Sequence, residues 1–168
     1  MGDVIMGPSD ALLFILPAYI ANATPVVTGG GKPMDFEMTF IDGRRILGKG
    51  KTWRGFFSGI LSGTILGLLI WELLEFEEKS ITLAILLSLG ALVGDCTGSF
   101  IKRRLNIERG RPLPLVDQLD FLLGALVFSE IVTDLPIEAI IFLVVITPVI
   151  HLGFNVLAYL LGLKNTWY

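Results

Sequence analysis

The chain has a single cysteine, Cys96, and a single histidine, His151. One cysteine supports neither an internal disulfide framework nor a cysteine-based zinc site. One histidine excludes a multi-histidine metal centre, and no G-x-S-x-G elbow is present, which disfavours serine-hydrolase chemistry. Charge is scarce as well: 17% of the 168 residues are Asp, Glu, Lys or Arg, where a soluble domain carries about 25%. The formal net charge is -3, so nothing suggests a nucleic-acid partner. Asp3 and Asp10 precede the first apolar run and no basic segment does, so a cleavable secretory signal is not expected. No long repeat or low-complexity linker divides the chain, and residues 1–168 read as one domain.

What the chain has in quantity is apolar sequence. It is 53% hydrophobic, with a mean hydropathy of +0.73. A helix needs about 20 mostly apolar residues to cross a bilayer. Five segments qualify: residues 10–27, 56–74, 81–100, 119–133 and 137–163. The fourth is short and contains Asp120 and Glu130. The expectation is an all-α integral membrane protein with five transmembrane helices and two cytoplasmic polar loops. An odd number of spans puts the termini on opposite sides. Lys and Arg stay preferentially on the cytoplasmic face. One side receives 12 of the 13 basic residues, Lys164 among them, and the other only Lys79. This predicts a multi-pass protein of the cell membrane, with its N-terminus outside and its C-terminus and polar loops cytoplasmic.

Glycines recur at every fourth position in two spans: Gly55, Gly59, Gly63 and Gly67, then Gly90, Gly94 and Gly98. Such spacing lines one helix face and permits close backbone approach in lipid. Packing within one subunit is the plainer reading, and a homodimer through a Gly-rich face is the alternative. His151, Asn155 and Tyr159 form a stripe on the last span, which reads as an interhelical hydrogen-bonded contact; the sequence assigns His151 and Asn155 no further role.

Two charged islands hold 11 of the 13 basic residues. The first spans residues 29–54 and the second 99–120. Asp117 and Asp120 lie one helical turn apart, on one face. Pro112 and Pro114 stop helix upstream of them, so the pair opens the fourth span at the polar surface. Helix-start acids also complement the macrodipole, but this pair does not stand alone. Asp95 emerges at the same level, with Ser99 one turn below and Lys102 and Arg103 directly after. Three carboxylates among many cations suggest Mg²⁺ with bound phosphates, because Mg²⁺ uses one or two carboxylates plus substrate oxygens. Residues 48–55, GKGKTWRG, invite a P-loop reading, yet the leading Gly is replaced by Arg45 and an apolar span follows. Walker A is rejected. Gly for close approach, Lys49, Lys51 and Arg54 for charge and Thr52 for a hydroxyl still compose a phosphate cradle at a helix start. Simple positive-inside anchoring is the alternative for these cations.

Taken together, Ser99-x-x-Lys102-Arg103 and Asp117-x-x-Asp120 resemble a compressed CDP-diacylglycerol synthase signature, S-x-x-K-R-x4-K-D followed by H-G-G-x-x-D-R-x-D. The inner K-D is Glu108-Arg109 here, and the H-G-G is missing. The chain is more similar to the archaeal branch of that superfamily, the CDP-archaeol synthases, through residues 16–22 with Pro25, 48–55, 94–95, 99–104, 117–121, 151–155 and 162–164. The resemblance implies transfer of CMP from CTP to the phosphate of 2,3-di-O-geranylgeranyl-sn-glycerol 1-phosphate, an isoprenoid glycerol-ether lipid phosphate. The products are unsaturated CDP-archaeol and pyrophosphate, and Mg²⁺ is the cofactor. It implies that Asp95, Asp117 and Asp120 hold metal, with Lys102 beside them in the catalytic set. It also implies that Lys49, Lys51, Thr52, Arg54, Ser99, Lys102 and Arg103, with Asn22, bind the nucleotide. Arg109 and Arg111 are weaker candidates for the lipid phosphate. A CTP-dependent polyprenol kinase, with attack at the γ-phosphate, and a small membrane transporter or scaffold remain the competing classes.

Overall fold

The computed structural model describes residues 6–77, 79–108 and 110–163. Asp3, Arg109 and Lys164, used above, lie outside them. Five helices follow in chain order: α1 (Pro8–Thr28), α2 (Trp53–Leu73), α3 (Ile81–Arg104), α4 (Val116–Ser129) and α5 (Ile137–Leu160). There are two isolated bridges and no named strand among the described residues. The expected all-α membrane architecture is observed. Four helices are long and apolar enough to cross a membrane. The exception is α4, whose 14 residues rise about 21 Å against a hydrocarbon core of about 30 Å.

Local chemistry accounts for the boundaries. Thr52 caps α2, its hydroxyl accepting from the Gly55 amide at 3.2 Å. Ser80 caps α3 in the same way, accepting from Leu83 N at 3.1 Å. Each satisfies an amide that the helix start leaves free. α3 runs through Arg104, past the expected end at residue 100, and carries Lys102, Arg103 and Arg104 in its last turn. Cations there complement the carbonyl end of the helix dipole. Ser99 to Arg104 are therefore helical and held rigidly on α3, rather than part of a loop.

The glycines decide the packing. A Cβ on Gly59 would meet Ala21 O at 2.7 Å, and one on Gly67 would meet Pro17 Cγ at 2.6 Å. A Cβ on Gly90 would meet Gly124 O at 2.5 Å, and one on Gly94 would meet Asp120 O at 2.1 Å. Both stripes are thus consumed inside the chain, α2 against α1 and α3 against α4. The homodimer reading through these faces has no open glycine face to use, because a neighbouring helix already occupies each one. In both pairs the contacts run in opposite chain directions, so the partners are antiparallel. Tyr19 OH shares a 2.7 Å hydrogen bond with Thr147 Oγ1, joining α1 to α5. Phe121 of α4 packs against Tyr19 and His151, with ring centroids at 5.5 and 6.0 Å. Phe14, Ile15, Leu87, Phe121, Leu122 and Leu143 are fully buried in the core between the helices. This alternation brings the ends of α1, α3 and α5 together with the starts of α2 and α4.

Candidate active site

At that shared end lies an open cavity of about 1150 Å³. Lys49, Gly50 and Lys51 reach it from the first island, and Asp95, Ser99, Lys102 and Arg103 from α3. Asp117 and Asp120 contribute from α4, Asn22 from α1, and His151 and Asn155 from α5. The two islands, separated in sequence by α2 and most of α3, therefore meet around one space.

Its charges are arranged in pairs. Lys51 Nζ bonds Asp95 Oδ2. Lys102 Nζ donates to both oxygens of Asp117, at 2.8 and 2.7 Å. Leu113 N adds a third donor to Asp117 at 2.9 Å. Burial alone lowers the Lys51 pKa, but the facing carboxylates of Asp95 and Asp120 more than reverse this, so the ammonium is held charged. Asp120 is arranged differently. Its Oδ1 accepts from the amide of Phe121 at 2.6 Å. Its Oδ2 lies 2.0 Å from where a Cβ of Gly98 would be, so the carboxylate occupies the space that this glycine leaves on α3. Arg103 Nε is buried with no hydrogen-bond partner among the described residues. Its side chain passes Gly48, whose added Cβ would lie 3.7 Å from Arg103 Cδ.

Three carboxylates thus line one cavity, but among the described residues no three acidic, histidine or cysteine side chains converge as a preformed cage. The donor set still suits a hard cation: oxygen ligands only, with substrate oxygens left to complete a Mg²⁺ shell. The remaining expected residues differ in placement. Thr52 is 6% exposed and its hydroxyl is engaged as the α2 cap. Arg54 is exposed and does not line the cavity. Arg111 lies on the cavity wall, exposed, at 3.9 Å from Glu108. Arg109 is outside the described residues.

The sequence profile of the CarS-like family, described as CDP-archaeol synthase, matches residues 3–168. The chain belongs to this family. A CDP-archaeol synthase of Methanocaldococcus jannaschii is 50% identical over 169 residues, covering 94% of this chain and 96% of that protein. Another, from Pyrococcus horikoshii, is 55% identical over 160 residues, covering 93% and 94%. A solved structure described as an intramembrane enzyme for archaeal membrane lipids biosynthesis is also similar. It has a TM-score of 0.80 and 43% identity, over 89% of this chain and 95% of that one. The chain is accordingly a multi-pass membrane protein.

Two residues that brace the walls of the cavity escaped the sequence reading. Arg104, read only as one cation of a basic run, locks the islands together. Its guanidinium lies 4.8 Å from the ring centroids of both Phe40 and Phe100. It donates to Arg45 O at 2.7 Å and pairs with Asp42 at 3.0 Å. Arg44 returns the contact by donating to Arg104 O at 2.8 Å. Asp35 is the other, at 3% exposure. Burial pushes its pKa up, but the Arg45 guanidinium and the amides of Gly48, Leu47 and Glu37 more than offset this. The carboxyl is held well below the usual carboxylate range. No local sequence signal marks Asp35, which lies within the first island without sharing any motif.

Proposed function

We propose that the chain transfers CMP from CTP to the phosphate of 2,3-di-O-geranylgeranyl-sn-glycerol 1-phosphate, releasing pyrophosphate and forming unsaturated CDP-archaeol. The observation that carries this reading is the convergence of both charged islands on one cavity of about 1150 Å³. The family membership supplies the nucleotide and the lipid. The site faces the cytoplasm, the N-terminus lies outside and the C-terminus inside. Support for that orientation comes from the 12-to-1 distribution of basic residues and from the antiparallel packing that gathers both islands at one end.

In the reaction, an oxygen of the lipid phosphate forms a bond to the α-phosphorus of CTP. The bond from that phosphorus to the bridging oxygen of the β-phosphate breaks, and pyrophosphate leaves with the electron pair. The attacking oxygen is already ionised near neutral pH, so no side chain has to remove a proton. The work of the residues is positioning and charge neutralisation. Lys49, Lys51 and Arg103 hold the triphosphate, with Lys102 at the α-phosphate beside Asp117. Ser99 and Asn22 contribute polar contacts to the nucleotide at the cavity wall. Asp95, Asp117 and Asp120 would hold Mg²⁺, which when bound offsets charge developing on the phosphate oxygens. Arg111 guides the lipid phosphate, and Arg109 is assigned with it from the sequence.

Purified protein given CTP labelled at the α-phosphate, Mg²⁺ and alternative lipid phosphates tests the proposal. Labelled CDP-lipid with release of pyrophosphate is expected, with no product when Mg²⁺ is chelated. CDP with a newly phosphorylated lipid would point to a kinase and overturn it. No CTP turnover with any lipid would return the chain to the transporter or scaffold class.

A further inference from the structure

We propose that Asp35 is a positioning residue for nucleotide binding, whose carboxylate fixes the turn at residues 48–51 that presents Lys49 and Lys51 to the cavity. The inference rests on the cytidylyltransferase reading, and it concerns a residue that does not line the cavity.

The geometry is that of a turn held at both ends. Residues 32–34 run alongside 51–53: Met34 N donates to Lys51 O at 2.8 Å, and Trp53 N donates to Lys32 O at 3.1 Å. This fixes the backbone of Lys51. The chain then places Asp35 beneath the other end. Its Oδ2 accepts from Gly48 N at 2.8 Å and Leu47 N at 3.2 Å. Arg45 reaches both carboxylate oxygens, at 2.5 and 3.2 Å, and so braces the carboxylate in place. Between the two anchors the turn is closed by Lys51 N donating to Gly48 O at 3.4 Å. Gly48 has φ +90°, a conformation that side chains with a Cβ rarely adopt. On its cavity side it faces the aliphatic part of Arg103. Asp35 thus sets where Lys49 and Lys51 emerge, and Lys51 in turn reaches Asp95. A neutral amide of the same size cannot replace it. Asparagine offers one acceptor oxygen where the site presents donors to two, and its NH₂ would confront a backbone N–H or the Arg45 guanidinium. A fully satisfied buried network holds its members in a single arrangement, and a partly satisfied one does not.

The test compares wild type, Asp35→Asn and Gly48→Ala as full chains in detergent. Equilibrium CTP binding, KM for CTP, KM for the lipid phosphate, kcat and melting temperature are measured for each. Losing hydrogen bonds to a charged group predicts a rise of about tenfold or more in the Kd and KM for CTP in Asp35→Asn. The lipid-phosphate KM should stay within about twofold. Gly48→Ala distorts the same turn without touching any charge, and should shift the CTP constants in the same direction. A purely structural role predicts instead a smaller active fraction, with kcat lower and both KM values unchanged; that pattern overturns the proposal. If Asp35→Asn does not fold, Gly48→Ala decides, and wild-type CTP affinity in that variant overturns it equally. A wild-type chain that binds CTP but makes no CDP-lipid would defeat the reaction assigned above. The CTP binding constants of the two variants would still judge Asp35.

Discussion

Replacing Gly94 or Gly98 with alanine adds the same single methyl to the same face of α3, yet the two changes should have different consequences. At Gly94 the new carbon would sit 2.1 Å from the backbone oxygen of Asp120 and 3.1 Å from Gly124 Cα. Those atoms belong to the α4 backbone, so relief requires α3 and α4 to separate by roughly 1.5 Å, since non-bonded heavy atoms settle near 3.5–4.0 Å. Overpacking of this kind costs about 1–3 kcal/mol, and a backbone clash belongs at the upper end. At Gly98 the nearest atoms are Asp120 Oδ2, Cγ and Cβ, at 2.0, 2.8 and 2.9 Å. Rotation about χ1 can carry Oδ2 and Cγ away, but Cβ is fixed to the α4 backbone, which must yield by a few tenths of an ångström. Gly98→Ala should therefore cost less than Gly94→Ala, about 1–2 kcal/mol of stability. It should still cripple turnover, because the Asp120 carboxylate is displaced with its charge intact. The assay is thermal melting in detergent alongside CDP-lipid synthesis from labelled CTP. A Gly94→Ala melting temperature equal to wild type would refute the close α3–α4 approach. Wild-type turnover in Gly98→Ala would refute the placement of Asp120 as a working carboxylate.

Three further outcomes follow from the same geometry. Lys51→Ala and Lys102→Ala should each weaken CTP binding by about tenfold while the protein remains folded; unchanged affinity in both, measured by equilibrium binding, would remove them from the nucleotide site. Asp95→Asn, Asp117→Asn and Asp120→Asn should each reduce turnover far more than melting temperature, and combine non-additively; near-normal Mg²⁺-dependent synthesis by the Asp117→Asn, Asp120→Asn double variant would place the metal elsewhere. In a Cys96-free background, cysteines introduced at Lys32 and Arg111 should be shielded from impermeant reagent in intact cells and one at Lys79 labelled, and labelling of Arg111 from outside would reverse the topology.

Much of this was legible in the sequence because the bilayer imposes simple rules. Apolar length marked the spans, and the separation of Lys79 from every other basic residue marked the common end of the islands. The Asp117–Asp120 spacing placed both acids on one turn before any helix was seen, and Asp117 does lie in the first turn of α4. The gaps have a common cause. Residue type does not reveal whether a polar group is already engaged. Thr52 reads as a phosphate contact in GKT, but it is buried away from the cavity lining, with its oxygen capping α2. Arg104 reads as one more cation, but it is spent on two aromatic rings and on loop carbonyls. Asp35 bonds residues 12 and 13 positions away, a separation that carries no periodic signature. The sequence places the fourth span a few residues too far along, at 119–133, because Ile131 and Val132 continue the apolar run past Glu130 while the helix runs from Val116 to Ser129.

The pairing of Lys51 with Asp95 and of Lys102 with Asp117 also bears on which anions these two lysines favour. Each lysine is already matched by a carboxylate, so these four groups bring little unbalanced charge to the cavity. An anion arriving alone gains the Lys51 or Lys102 ammonium by stranding a carboxylate in a partly buried setting, where an unmatched charge is costly. A ligand that brings negative oxygens together with its own cation can exchange both partners at once and leave nothing unmatched. At these two lysines, the ion pairs therefore favour a ligand that carries its own cation over a lone inorganic anion.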